Sequence, residues 1–177
     1  MSPSARRLAL TVHVAVSVGW FGAVAAFLGL AVVGLTTAVS PTRQAAYIAM
    51  QITGWNVILP LGSATLLSGL IQSLGTSWGL FRHYWVVVKL ALTLAATLLL
   101  LLHLRPVDTL AAIATLRVPG PTELRGIRIQ LVGDAIAALL VLLVNTTLSV
   151  YKPRGITPHG WRQQRREAAL LHQRHGR

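Results

Sequence analysis

The chain contains no cysteine. That excludes disulfides, thiolate metal sites, iron–sulfur clusters, covalently attached haem and a cysteine nucleophile. Acid is almost as scarce, with four Asp and Glu against sixteen Lys and Arg. So few carboxylates leave little for paired acid–base catalysis. Methionine occurs only at Met1 and Met50, so the sulfur ligands that copper(I) prefers are nearly absent. Charged residues make up 11% of the chain, against about 25% in ordinary soluble domains. No glycine-rich phosphate loop, nucleophile elbow or HExxH motif is present. The basic residues belong to no nucleic-acid-binding module, so nucleic acid is not an expected partner.

What fills the chain is apolar: 54% of its 177 residues are hydrophobic. That content excludes a disordered chain. A helix needs about 20 mostly apolar residues to cross a bilayer. Four stretches meet this, at about 8–35, 52–73, 84–104 and 127–150. The expected fold is therefore all-α: an integral membrane four-helix bundle over 1–151, followed by a basic amphipathic tail over 152–177. Ala38-Val39-Ser40 could serve as a signal cleavage site, but the first apolar run exceeds the roughly 7–15 residues of a signal core. It is read as a retained helix.

The breaks between spans are marked. Ser40-Pro41 reads as an N-cap with proline at the first helical position. A helix is expected from there toward the second span, bending at Gly54 or Pro60. Arg105-Pro106 is expected to end the third span. Asp108 would then cap a short surface helix over Thr109–Arg117, stopped by Pro119-Gly120-Pro121. Eleven of the sixteen Lys and Arg fall on the side that carries the termini, so both termini are expected in the cytoplasm. In the tail, Trp161, Ala168 and Leu171 share one side and arginines the rest, which suits contact with anionic lipids. His159, His172 and His175 lie near one another in that tail, without a cysteine or acid to complete a metal set. On the first span, Ala15, Gly19 and Ala23 repeat every four residues, as do Ala25 and Gly29. Such spacing lets helix backbones approach closely.

Polar residues inside the spans are the candidate functional groups. Helical spacing puts His13, Ser17 and Trp20 on one face, Lys89, Thr93 and His103 on another, and Asp134 and Asn145 on a third. Asn56 shares a face of the second span with Ser63. With all four polar faces turned inward, depth sorts the groups into two sets. His13, Lys89 and Asn145 fall near the cytoplasmic end. Asn56, His103 and Asp134 form an outer cluster. His13 and His103 then differ in depth by about 20 Å, too far to clamp one metal or haem. For the inner set, His13 offers a ring nitrogen to a metal or haem iron, with Lys89 and Asn145 as neighbours. The alternative is structural, with Lys89 reaching the headgroups and His13 donating to a carbonyl one turn away. For the outer set, a His103–Asp134 proton relay stands beside a plain tether between two helices, or Asp134 neutralising Arg105 or Arg128.

The motifs His13-Val-Ala-Val-Ser-Val-Gly-Trp20-Phe-Gly22, Leu-Leu-Ser-Gly69-Leu, Trp78-Gly79-Leu80, Trp85-Val-Val-Val-Lys89-Leu and Leu-Leu-His103-Leu-Arg-Pro106 resemble those of small bacterial four-helix membrane proteins. These are distantly similar to the CopD copper-resistance and HemJ protoporphyrinogen oxidase families. The resemblance covers about residues 8–105. It implies haem b at His13, with Lys89 at the position of the HemJ lysine, or copper handling on the CopD side. The arginine-rich 105–128 connection and the basic tail are not part of the HemJ pattern. Three functions stay open at this point. The first is a haem- or porphyrin-binding protein, with or without redox activity. The second is an accessory or scaffold subunit in a homo-oligomer or larger complex. The third is a small copper or proton-coupled transporter.

Overall fold

A computed structural model describes residues 2–75, 84–117, 124–151 and, in the tail, 155, 157, 158, 160–162 and 165; the side chain of His103 lies outside the described set. All elements among the described residues are helical: α1 (Pro3–Thr36), α2 (Ser40–Thr53), a π-helical turn (Gly54–Ile58), α3 (Leu59–Gly75), α4 (Tyr84–Leu116) and α5 (Arg125–Tyr151). The α2, π-turn and α3 segments form one rod over Ser40–Gly75, so four rods are long and apolar enough to cross a membrane. At 1.5 Å per residue, the 34 residues of α1 span about 50 Å, more than the roughly 30 Å hydrocarbon core.

The rods close a ring. In the half that carries α3, α1 packs on α3 and α5, and α4 packs on the same two. In the other half α2 takes the place of α3 between α1 and α4. α1 and α4 therefore stand on opposite corners. Two buried apolar clusters fill the interior. One joins Trp20, Val24, Ile58 and Leu142. The other joins Ala31, Tyr47, Met50, Val107, Leu110, Ala114 and Leu131.

Two irregularities differ from the sequence-based expectation. The first is at Pro106, where α4 does not end but runs on to Leu116. Proline in a helix interior costs about 3 kcal/mol. That cost is offset from the neighbouring rod. Gln44 Nε2 donates to the Ala114 carbonyl, Gln51 Nε2 donates to Asp108 Oδ1 at 2.9 Å, and Trp55 Nε1 donates to the same oxygen at 3.0 Å. Each such bond between apolar helices contributes about 0.6–2 kcal/mol. Leu104, Val107, Leu110, Ala111 and Ala114 add close packing at 0–2% exposure. Asp108 thus ties α4 to the α2–α3 rod and caps no surface helix.

The second irregularity is the π-turn, which falls where the sequence suggested a bend. Pro60 has no N–H to give to the carbonyl of Asn56, and the five residues Gly54–Ile58 before Leu59 adopt the wider turn. Met50, Gly54, Ile58 and Gly62 are all buried, at intervals of four. An α-helix would rotate that stripe by about 40° per step, whereas a wider turn keeps it in line. Asn56, two residues from both Gly54 and Ile58, lies on the opposite face of the rod. Its amide is exposed and donates to the Ile52 carbonyl of its own rod at 3.0 Å. Asn56 therefore does not belong to an interior cluster. At the start of the rod, Val39 rather than Ser40 occupies the N-cap, without a side-chain cap bond.

The small residues of α1 divide. Gly19 lies against Leu61, while Gly22 and Gly29 have nothing within 4 Å. Gly34 is the tightest. A Cβ there would stand 2.6 Å from Tyr47 Cε1, and Tyr47 donates its hydroxyl to the Gly34 carbonyl at 2.6 Å. Gly34→Ala is expected to destabilise the protein by about 1–3 kcal/mol, as overpacking of a tight contact does. Gly22→Ala is expected to be neutral. Thermal unfolding in detergent, followed by helical circular dichroism, compares the two. Equal midpoints would contradict the packing described.

Candidate functional site in the bundle interior

The polar groups of the α3 half are built from the α1–α3 contact. The two helices run antiparallel and meet along a seam of small and polar residues. Gln72 Nε2 donates to the Ala9 carbonyl at 2.9 Å. One turn on, His13 Nδ1 lies 2.9 Å from Ser68 Oγ, and a Cβ at Gly69 would stand 3.2 Å from His13 Cε1. Two turns further on, Trp20 packs over Gly62, where a Cβ would stand 3.1 Å from the indole ring. Gly69 and Gly62 are thus what allow a histidine and a tryptophan to lie flat on α3.

Ser68 decides the state of His13. Its hydroxyl lies 2.6 Å from the Ala64 carbonyl and 3.2 Å from that of Thr65. Carbonyls only accept, so the hydroxyl proton goes to α3's own backbone. A lone pair of Ser68 is left to accept from His13 Nδ1–H. In the neutral ring the remaining lone pair is then on Nε2. The bond therefore runs to a side chain on another helix, rather than to a carbonyl one turn away.

The α4–α5 contact repeats the device. Ser149 donates to the Asn145 carbonyl at 2.8 Å and accepts from Lys89 Nζ. Thr93 donates to the Lys89 carbonyl at 2.8 Å and accepts from Asn145 Nδ2 at 3.0 Å. The Lys89 ammonium also lies 6.0 Å from the centre of the Trp85 ring, at the outer limit of a cation–π contact. Lys89 is thereby held to α5. Lys89 and Asn145 thus share the α4–α5 contact, as His13 and Ser68 share that of α1 and α3.

The other expected cluster is not assembled in this way. Asn56 faces outward, and Asp134 is half-buried on α5. The His103 side chain, and so the His103–Asp134 relay, lies outside the described residues. So do His159, His172 and His175. Of the tail, Trp161, Arg162 and Arg165 are exposed. Among the described residues no three His, Cys, Asp or Glu come together as a metal site.

Sequence reasoning passed over a second polar region at the opposite end. Arg43 reads in the sequence only as a flanking cation and Arg128 as that or as a partner of Asp134, yet they are 4% and 2% exposed. Arg43 Nη2 donates to the Thr37 carbonyl at 2.7 Å, and the Arg128 guanidinium lies 5.6 Å from the Tyr47 ring centre. The spacing of Arg43 and Tyr47, i and i+4, was the available signal, since it puts both on one helix face. Ser68, Ser149 and Gln72 were also missed, because hydroxyl and amide residues in a span carry no distinguishing pattern.

The tautomer of His13 is directly measurable. Nitrogen-15 NMR of histidine-labelled protein, with His13 assigned by loss of its signals in His13→Gln, is expected to show the Nδ1–H form at high pH. Ser68→Ala is expected to shift the population toward Nε2–H. A wild-type His13 already in the Nε2–H form would contradict the Ser68 geometry. No family model, curated protein or solved structure matches this chain.

Proposed function

We propose that this is a multi-pass protein of the bacterial cytoplasmic membrane, with both termini in the cytoplasm, that binds haem b or a related porphyrin. His13 is the axial ligand and Lys89 the partner of an anionic substituent. The observation that carries this reading is His13 held through Nδ1 at Ser68 on the α1–α3 contact, with Lys89 held at Ser149 on the α4–α5 contact. A histidine that ligates a metal through one nitrogen characteristically donates its other N–H to a fixed acceptor. Ser68 is such an acceptor.

The donor set suits this group in kind. A tetrapyrrole supplies four of its metal's ligands itself and so asks the chain for an axial imidazole only. Copper is the poorer match, because Met50 is 1% exposed within the cluster of Tyr47 and Leu110 at the other end. When bound, haem would supply one-electron redox chemistry at its iron. The chain's own part is to hold the imidazole in one tautomer, to offer a cation held by Ser149, and to surround both with apolar helices.

A second reading is a scaffold subunit. It is favoured by Gly22 and Gly29, whose open faces within the chain would let another helix approach. The two readings separate in one experiment. Protein purified in mild detergent from haem-replete cells is expected to show a Soret band that is lost in His13→Ala and weakened in Lys89→Met. Gly22→Leu is expected to leave it unchanged. Colourless protein that takes up no added haem would overturn the haem reading. Loss of a co-purifying complex in Gly22→Leu alone would favour the scaffold.

A further inference from the structure

The contacts of His13 with Ser68, of Trp20 with Gly62 and of Asn145 with Thr93, and the cluster that joins Trp20 to Leu142 and Ala96, set the register of the rods. By that register Ser17 of α1, Thr65 of α3, Thr93 of α4 and Asn145 of α5 fall near one level, about one turn from His13 toward the middle of the bundle. The neighbouring layer is apolar, with Trp20 packed among Ile58, Leu142 and Ala96. Thr65, Thr93 and Asn145 are 7%, 9% and 8% exposed, and Trp20 is 3% exposed. In these two adjoining layers four buried polar atoms have no hydrogen-bond partner among the described residues: Ser17 Oγ, Thr65 Oγ1, Trp20 Nε1 and Asn145 Oδ1. Thr93 gives its proton to the Lys89 carbonyl and so can only accept from the Asn145 amide N–H, which leaves Oδ1 as the open end. Leaving one such group unsatisfied costs about 1–3 kcal/mol. Native proteins seldom leave several together without a bound molecule that joins them.

We propose that this layer is a binding site for internal water, which hydrogen-bonds Ser17, Thr65, Asn145 and the Trp20 indole between the four rods. Water fits because the set is mixed. The indole can only donate, the Asn145 carbonyl can only accept, and the two hydroxyls can do either. One or two water molecules with 2–4 partners each satisfy such a set. The groups carry no net charge, so neither a cation nor an anion is called for. The site adjoins His13 through Ser17 and through Thr65, whose backbone carbonyl acts on the imidazole. Water here supplies a proton donor and acceptor beside His13 from inside the bundle. The inference stands whether or not His13 binds haem.

The test is the Trp20 Nε1–H. In tryptophan-labelled full-length protein in detergent, its NMR signal is assigned by its loss in Trp20→Phe. A cross-peak to water is expected there, despite the burial of the ring. Thr65→Val, which keeps the shape and removes the hydroxyl, is expected to reduce that cross-peak by roughly twofold or more and to lower the unfolding midpoint, because a bridged water loses a partner. Ser17→Ala serves as the second variant and is expected to act in the same direction. Absence of any water cross-peak at Trp20 would overturn the proposal. So would a raised midpoint in both Thr65→Val and Ser17→Ala, the result that removing a dry, unsatisfied hydroxyl gives.

Discussion

A hydroxyl on a helix can give its proton to a carbonyl one turn back and still accept a bond from elsewhere. The α3 half of the bundle depends on this. Ser68 does it toward His13, Ser149 toward Lys89 and Thr93 toward Asn145. In each case the helix's own backbone fixes the direction of the hydroxyl, and a group on the next rod is received by the open lone pair. Two of the links join α4 to α5 and one joins α1 to α3. Among apolar helices the hydrophobic effect does not choose a partner, so such links and close packing carry the specificity.

The same economy explains the glycines. Gly69 and Gly62 let His13 and Trp20 lie on α3, and Gly34 lets Tyr47 lie on α1. In each case a large polar-tipped ring fills the space that a missing Cβ leaves. The π-turn serves this arrangement from the other side, because it keeps Gly54, Ile58 and Gly62 on one buried line. Each half of the bundle is therefore organised around an aromatic ring seated on glycine. One end adds a histidine and a lysine, and the other adds two buried arginines.

The four rods were legible because uninterrupted apolar runs of sufficient length have few other physical solutions. The antiparallel run of neighbouring rods was legible too, since consecutive spans alternate in direction. Which side chains meet between the rods was harder to read. Asn56 is expected inward only if every polar face turns to the interior, yet it stands two residues from both Gly54 and Ile58 and so opposite the buried line. Pro106 was taken as an end because local preference disfavours the interior of a helix, and side-chain bonds from the neighbouring rod outweighed it. Arg43 and Arg128 were invisible as buried groups, because a cation near a span end reads the same whether it faces water or a Tyr47 ring. Ser68 and Ser149 gained their roles only from the pairing of rods, which no single-helix pattern contains.

The central claim is that His13 and Lys89 face one another across the bundle axis. The chain has no cysteine of its own, so a pair can be introduced without background. In a chain carrying His13→Cys and Lys89→Cys, a short bifunctional thiol reagent is predicted to join the two within one molecule. The pair His13→Cys and Asn56→Cys is predicted not to be joined. If both introduced thiols at 13 and 89 react singly but are never linked, the two corners do not meet and the account of the interior fails.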